Sequence, residues 1–228
     1  MYELWIANKN FSSWSLRPWV LMRGLGIEFE ERQVEFGPGS NWPAFRAFSP
    51  TGQVPALRDG DLTVWESLAI VEYLAERHEG IWPGEAKARA WARSAAAEMH
   101  AGFAELRSRC PMSVGHRVEL AQRPPELERD LARLDELWNE GIHRFGGPFL
   151  AGAAFTAVDA FFAPVAFRAQ TYGLRFTGAA ASYPAHLLEL PAMRAWAEEA
   201  LAEPWREPGH EAQVAATGTI TADLRASV

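Results

Sequence analysis

Residues Ser49–Leu74 read SPTGQVPALRDGDLTVWESLAIVEYL, and the order of the parts in this stretch decides the fold. Ala56 to Arg58 and Leu62 to Trp65 are short apolar-rich runs on either side of Asp59-Gly60-Asp61. Asp-Gly between two such runs signals a hairpin. Val54-Pro55 stands at the mouth of the first run. Proline cannot donate to a sheet ladder and fixes a bend, and X-Pro is the bond at which a cis peptide is cheapest. A cis turn there leaves the Val54 N–H and C=O facing outward. Glu66-Ser67 then opens a run with Leu68, Ile70, Val71 and Leu74 at helical spacing, so Ser67 is a cap or first-turn residue. The free N–H groups and positive dipole end of that helix make a carboxylate site, with the Ser67 hydroxyl as a further donor and Glu66 as an acceptor for an ammonium. The α-carboxylate and α-amine of an amino acid fit this pair together.

Outward from this stretch, the N-terminal third alternates strand and helix. Tyr2 to Ala7 reads as a strand, Leu16 to Arg23 as a helix stopped by Gly24 and Gly26, and Ile27 to Phe36 as the carrier of a second strand. Asn41 to Phe48, with Pro43 in its first turn, reads as a short helix. The resulting βαβαββα order is thioredoxin-like. Gly80 to Gly84 (GIWPG) reads as a linker, and beyond it the chain reads as helical throughout. Glu85 to Arg109 is expected to be one long Ala-rich helix ended by Pro111. Pro125 to Phe145 is expected to be another, with Leu127, Leu131, Leu134 and Leu137 or Trp138 on its apolar face. Thr156-Ala157-Val158-Asp159 is a capping box at the head of a core helix. The tail from Arg206 to Val228 is given no element.

The spacing of Val54-Pro55 and Glu66-Ser67 resembles that of the cytosolic glutathione transferases, whose thioredoxin-like domain carries a Val-(cis)Pro turn and a Glu/Gln-Ser dipeptide. The capping box after Phe149-Leu150-Ala151-Gly152 and the segment Leu190 to Ala197 are similar to the same family, so the resemblance covers residues 2 to about 205. It implies an α/β domain at residues 1–80 that binds glutathione and an all-α domain at 85–228 that lines a hydrophobic substrate site. By position, the Val54 backbone and Pro55 hold the cysteinyl part, while Glu66 and Ser67 hold the γ-glutamyl end.

The loop Asn8 to Trp19 (NKNFSSWSLRPW) offers three serines. Pro18 is tolerated only in a first helical turn, which puts the N-cap no earlier than Ser15 and leaves Ser12 and Ser13 in the loop ahead of the helix. Ser-Ser-x-Ser-x-Arg resembles the zeta-class pattern Ser-Ser-Cys-Ser-x-Arg. The resemblance makes Ser12 the thiol-activating residue and Ser13 its neighbour, with the assignment between the two left open. Arg17 is then the nearest cation, steadying a thiolate or a substrate carboxylate, or else simply solvated. Two positions depart from the zeta pattern: Trp14 replaces the cysteine, and Thr171 or Gln170 falls where a dicarboxylate-binding arginine is expected, with Arg168 three or four positions earlier.

Composition narrows the rest. A hydrophobic fraction of 48% is ordinary for a globular chain, and there is no long apolar run and no charged-then-apolar leader pattern. A cytoplasmic location without membrane partner is the expectation. The single cysteine, Cys110, allows neither an internal disulfide nor a CxxC pair, and the six histidines lack metal-ligand spacing. A net charge of −7 argues against a sequence-independent grip on nucleic acid. The expected function is a glutathione S-transferase acting as a homodimer on a small hydrophobic electrophile. The alternatives are a glutathione-binding or assembly module without turnover, and a glutathione-dependent isomerase. Met99, Phe103, Arg107, Phe11 and Trp14 are the expected walls of the second-substrate pocket. Trp91, Ala95 and Met99, with Arg89 and Arg93, are the expected dimer patch.

Overall fold

A computed structural model of the chain describes residues 1–37 and 39–225; the last three positions assigned to the second domain lie outside the described residues. The first seven elements are β1 (Tyr2–Ile6), α1 (Ser13–Gly24), β2 (Phe29–Gln33), α2 (Trp42–Phe45), β3 (Ala56–Asp59), β4 (Leu62–Trp65) and α3 (Ser67–Ala75). The sheet runs β2-β1-β3-β4, with β1 parallel to β2 and antiparallel to β3, and β3 antiparallel to β4. The parallel pair requires a crossover, which α1 supplies. The β3–β4 hairpin closes where expected: Asp59 faces Leu62, and Gly60 takes the left-handed φ of +61° that the tight turn requires.

Alternation along β1 places side chains on both faces of the sheet. Leu4 and Ile6 enter the main core, whereas Trp5 lies on the opposite face and stacks on Phe48 with ring centroids 4.3 Å apart. α1 is buried along most of its length and packs on α3 from its own half. One contiguous apolar core therefore joins the sheet to the helices that follow.

Those helices are α4 (Ala86–Ala101), α5 (Ala104–Arg109), α6 (Pro125–Phe145), α7 (Ala157–Tyr172), α8 (Tyr183–Leu188), α9 (Pro191–Ala202) and α10 (Pro208–Ala215). α1 packs against α7 and α9. The capping box at α7 is formed: the Thr156 N–H donates to Asp159 Oδ2 at 3.0 Å. Asp159, fully buried, also accepts from the Leu150 N–H at 3.0 Å and the Tyr183 hydroxyl at 2.8 Å, while burial pushes its pKa up to about 6.

Four expectations need correction. The first helix starts at Ser13 with Ser12 at its N-cap, so Ser15 is not the cap and Pro18 lies inside the helix. Ser15 is instead fully buried and used sideways, as described below. The single helix expected from Glu85 to Arg109 is divided at Gly102, which is extended, and Phe103, at φ +58°. Arg107 compensates the break: its guanidinium donates to the carbonyls of Met99, His100 and Gly102, which the end of α4 leaves without helical partners. Part of the expected dimer stripe is internal: Ala95 and Met99 are buried in the core, whereas Trp91, which donates to Glu140 at 3.0 Å, and Arg93, which pairs with Glu72 at 3.0 Å, remain at the surface. Finally, the second half is not wholly helical. β5 (His116–Leu120) and β6 (Gly218–Asp223) form a two-stranded antiparallel sheet, which gives the tail a place in the fold.

Candidate active site

A cleft of about 660 Å³ opens between the sheet domain and the helical elements. Its walls bring together Ser12, Ser13 and Trp14 from the start of α1, Val54 and Pro55 from the bend before β3, and Glu66 at the head of α3. Arg107, Pro111, Met112 and Arg168 close the helical side. Residues separated by more than 50 positions in sequence thus face one space, as the expected site requires. Met99 and Phe103 do not line it; both are core side chains.

The Val54–Pro55 bond is cis. Glu66 precedes α3 at φ +69°, and Ser67, its first residue, is fully buried. The Ser67 Oγ has no hydrogen-bond partner among the described residues. A buried hydroxyl left unsatisfied costs about 1–3 kcal/mol; Ser67 does not itself line the cleft but follows Glu66, which does, at a helix N-terminus where an anionic acceptor is favoured. The lone Ser67 donor fits a carboxylate.

The serine loop carries a relay that the sequence reading missed. Ser12 Oγ donates to Ser15 Oγ at 2.7 Å, and Ser15 Oγ accepts from the Ala7 N–H at 3.3 Å. Both are hydroxyls, so the pair can reverse: Ser15 then donates to Ser12 and frees the Ser12 proton for a ligand in the cleft. Ser13 also lines the cleft from the first position of α1.

Arg17 is not a solvated arginine. It is fully buried behind Trp14, with its guanidinium carbon 4.1 Å from the Trp14 ring centroid and 4.8 Å from that of Phe161. None of its side-chain nitrogens has a hydrogen-bond partner among the described residues. Burial holds its pKa well below the usual arginine range, repulsion from Arg107 and Arg168 adds to this, and Glu66 opposes it. Arg168 is buried, lines the cleft, donates from Nε to the Cys110 carbonyl at 2.8 Å and leaves Nη1 unpartnered. Arg107 lies over Trp14 at 4.7 Å. The helical side of the cleft is therefore strongly positive. Thr171 is turned away and donates to the Ser113 carbonyl. Burial pushes the Cys110 thiol up to about 12, so it is no nucleophile near neutral pH.

The loop before α1 is held from the far end of the chain. Glu203 is buried and accepts from the Asn10 N–H at 3.2 Å, the Gln33 amide at 2.6 Å and the Lys9 N–H. Trp196 donates to the Lys9 carbonyl at 2.9 Å, and Asn10 Nδ2 donates to the Ala200 carbonyl. Asn10 Oδ1 accepts from the Gly115 N–H at 3.0 Å, tying the same loop to β5. Burial raises the Glu203 pKa, opposed by these donors.

Residues 11–77 match the family model of the glutathione S-transferase N-terminal domain. A dichloromethane dehalogenase of Methylophilus leisingeri is 53% identical over 55 residues, which cover 23% of this chain and 21% of that protein. Glutathione S-transferase theta-1 of Mus musculus is 33% identical over 127 residues, 51% of this chain and 52% of the mouse protein. The matches thus span between a fifth and half of these relatives. In fold, the chain is similar to a maleylacetoacetate isomerase from Methylobacterium extorquens AM1, with a TM-score of 0.65 at 24% identity, covering 89% of this chain and 98% of that one. Residues 11–77 are thus similar to a glutathione S-transferase N-terminal domain, and the chain shares the overall fold of that isomerase structure, a sheet domain followed by helices. No helix among the described residues is long and apolar enough to cross a membrane.

Proposed function

We propose that the chain is a glutathione S-transferase, and that the cleft binds glutathione and presents its sulfur to a small electrophile. The observation that carries this reading is the convergence of Ser12, Val54 and Glu66 on one cleft beside the orphaned Ser67 hydroxyl. Ser67 and the α3 N-terminus take the γ-glutamyl carboxylate, and Glu66 takes its ammonium. The exposed backbone of Val54 pairs with the cysteinyl unit. Ser12, backed by Ser15, donates to the thiolate. A hydrogen bond to a charged acceptor is worth roughly 1.5–3 kcal/mol, and a pKa unit about 1.36 kcal/mol, so this donor lowers the bound thiol by about one to two units. The N-terminus of α1 and the positive charge of Arg107 and Arg168, which line the cleft, act in the same direction. The ionised sulfur then attacks the electrophilic carbon.

The test is the thiolate absorbance of bound glutathione followed across pH in wild type and Ser12→Ala. An apparent pKa about one to two units higher in the variant is expected; an unchanged titration removes Ser12 from the mechanism. Full binding with no turnover of any electrophile would instead favour a binding module. A second reading, a glutathione-dependent isomerase of an acidic substrate, has one observation in its favour: Arg107 and Arg168 both line the cleft. A preference for anionic over neutral electrophiles distinguishes it. We further propose that residues 1–80 and 85–228 act as two domains of a cytoplasmic homodimer, whose contact uses the exposed Leu62 and Trp65 of edge strand β4.

A further inference from the structure

The tail returns to the site. α10 carries His210 and Gln213, one turn apart, and both line the cleft. The His210 ring is stacked on Phe11 at 5.1 Å and on Phe36 at 4.8 Å, close to parallel with each at 15° and 25°. Its Nδ1 donates to Glu207 Oε2 at 2.5 Å. The same carboxylate caps α10 by accepting from the N–H groups of Gly209 at 2.9 Å and His210 at 2.6 Å. The helix is latched in turn by Arg225, which grips Glu211 through both guanidinium branches, Nη1–Oε1 at 2.5 Å and Nη2–Oε2 at 3.1 Å. The imidazole is thus held on two faces and at one nitrogen, and Nε2 alone has no partner among the described residues.

Its position along the cleft tells what it meets. If the γ-glutamyl end lies at Ser67 and the cysteinyl unit at Val54, the third residue of an extended tripeptide continues past Gln53 and Gly52 toward Asn41, Trp42 and Phe36. That end of the ligand is a carboxylate. The cationic groups Arg107 and Arg168 stand on the other side, by Trp14 and Cys110. Among the described residues lining the cleft, His210 is the imidazole at the Phe36 end, and with Nδ1–H on Glu207 its Nε2 donates in the doubly protonated form of the ring.

We propose that His210 is a ligand-binding residue that receives the glycyl carboxylate of glutathione at Nε2, with Glu207 fixing the ring and Gln213 as its polar neighbour. The proposal rests on the glutathione reading and adds a contact supplied by the tail. It is tested by calorimetry with two probes that lack a free thiol, S-methylglutathione and γ-glutamyl-S-methylcysteine, the second lacking the glycyl unit. His210→Phe preserves the stack between Phe11 and Phe36, and His210→Gln restores a neutral donor as a control on packing. Wild type is expected to bind S-methylglutathione about tenfold or more tightly than the shorter probe, the worth of one charge-assisted hydrogen bond. In His210→Phe that preference should vanish while affinity for the shorter probe is unchanged, and His210→Gln should fall between. Equal binding of both probes by wild type, or a preference that survives in His210→Phe, overturns the proposal alone. Binding of neither probe by wild type overturns the glutathione reading, and this proposal with it.

Discussion

At the scale of single residues, Ser67 and Ser12 separate binding from chemistry. Ser67 offers a buried donor without a partner among the described residues, so on the proposed reading Ser67→Ala removes a ligand contact while relieving an unsatisfied group. Affinity for glutathione should fall roughly ten- to hundredfold, by the worth of about 1.5–3 kcal/mol, with no loss of thermal stability; calorimetry and a melting curve on the same sample check both halves. Ser12→Ala should do the opposite, leaving affinity nearly intact and lowering turnover by about one to two orders of magnitude in proportion to the lost thiolate. Equal turnover of Ser12→Ala and wild type between about pH 6 and 8 would contradict it. The pairing of types and spacing made Val54, Pro55, Glu66 and Ser67 legible in the chain. Ser15 was misread because the helix-breaking argument on Pro18 was applied as an absolute. α1 is anchored by tertiary burial along most of its length, from Ser15 to Met22, and that outweighs one missing hydrogen bond.

At the scale of elements, the serine loop depends on α9 and the tail. Glu203 is buried and accepts from Lys9, Asn10 and Gln33, so Glu203→Ala strands several donors at once. A loss of about 3–5 kcal/mol in unfolding free energy is expected from denaturant titration, as for other buried charged networks. The small sheet adds a pH response. His116 is buried between Ser113, bonded at 2.8 Å, and Arg225, at 2.7 Å; burial first, and then Arg225, lowers its pKa. An imidazole harder to protonate when folded supports the fold fully above its unfolded value of about 6.5 and loses that support as pH falls below it. Wild type should therefore lose stability between about pH 6.5 and 5 more steeply than His116→Gln; parallel melting curves would refute this. β5 and β6 were not legible because their pairing joins segments about a hundred residues apart, and neither run is flanked by a hairpin turn that would announce it. The break at Gly102-Phe103 was hidden likewise, since helical propensity on both sides continues and only the carbonyl contacts of Arg107 mark the corner.

At the scale of the molecule, the fold was legible and the assembly was not. Apolar stripes report burial without saying against what, and Ala95 and Met99 of the expected α4 stripe are buried within their own chain, where α4 packs on α7. On the proposed reading the dimer contact uses Leu62 and Trp65, both exposed on β4. Light scattering at micromolar concentration should return about twice the chain mass of 25.3 kDa. Leu62→Glu combined with Trp65→Glu should return a monomer with its glutathione affinity retained, and a double variant that stays dimeric would move the interface elsewhere. One contact made far across the chain has a bearing on biosynthesis. Lys9 and Glu203 stand 194 residues apart, and Trp196 and Ala200 reach the same loop. A ribosome therefore releases the serine segment 194 residues ahead of the carboxylate that clamps it. The growing chain can form its sheet while the serine loop is still unsupported, so on the proposed reading competence to ionise glutathione should arrive only once Trp196 to Glu203 have emerged, and a shorter nascent fragment carries no prematurely reactive sulfur site.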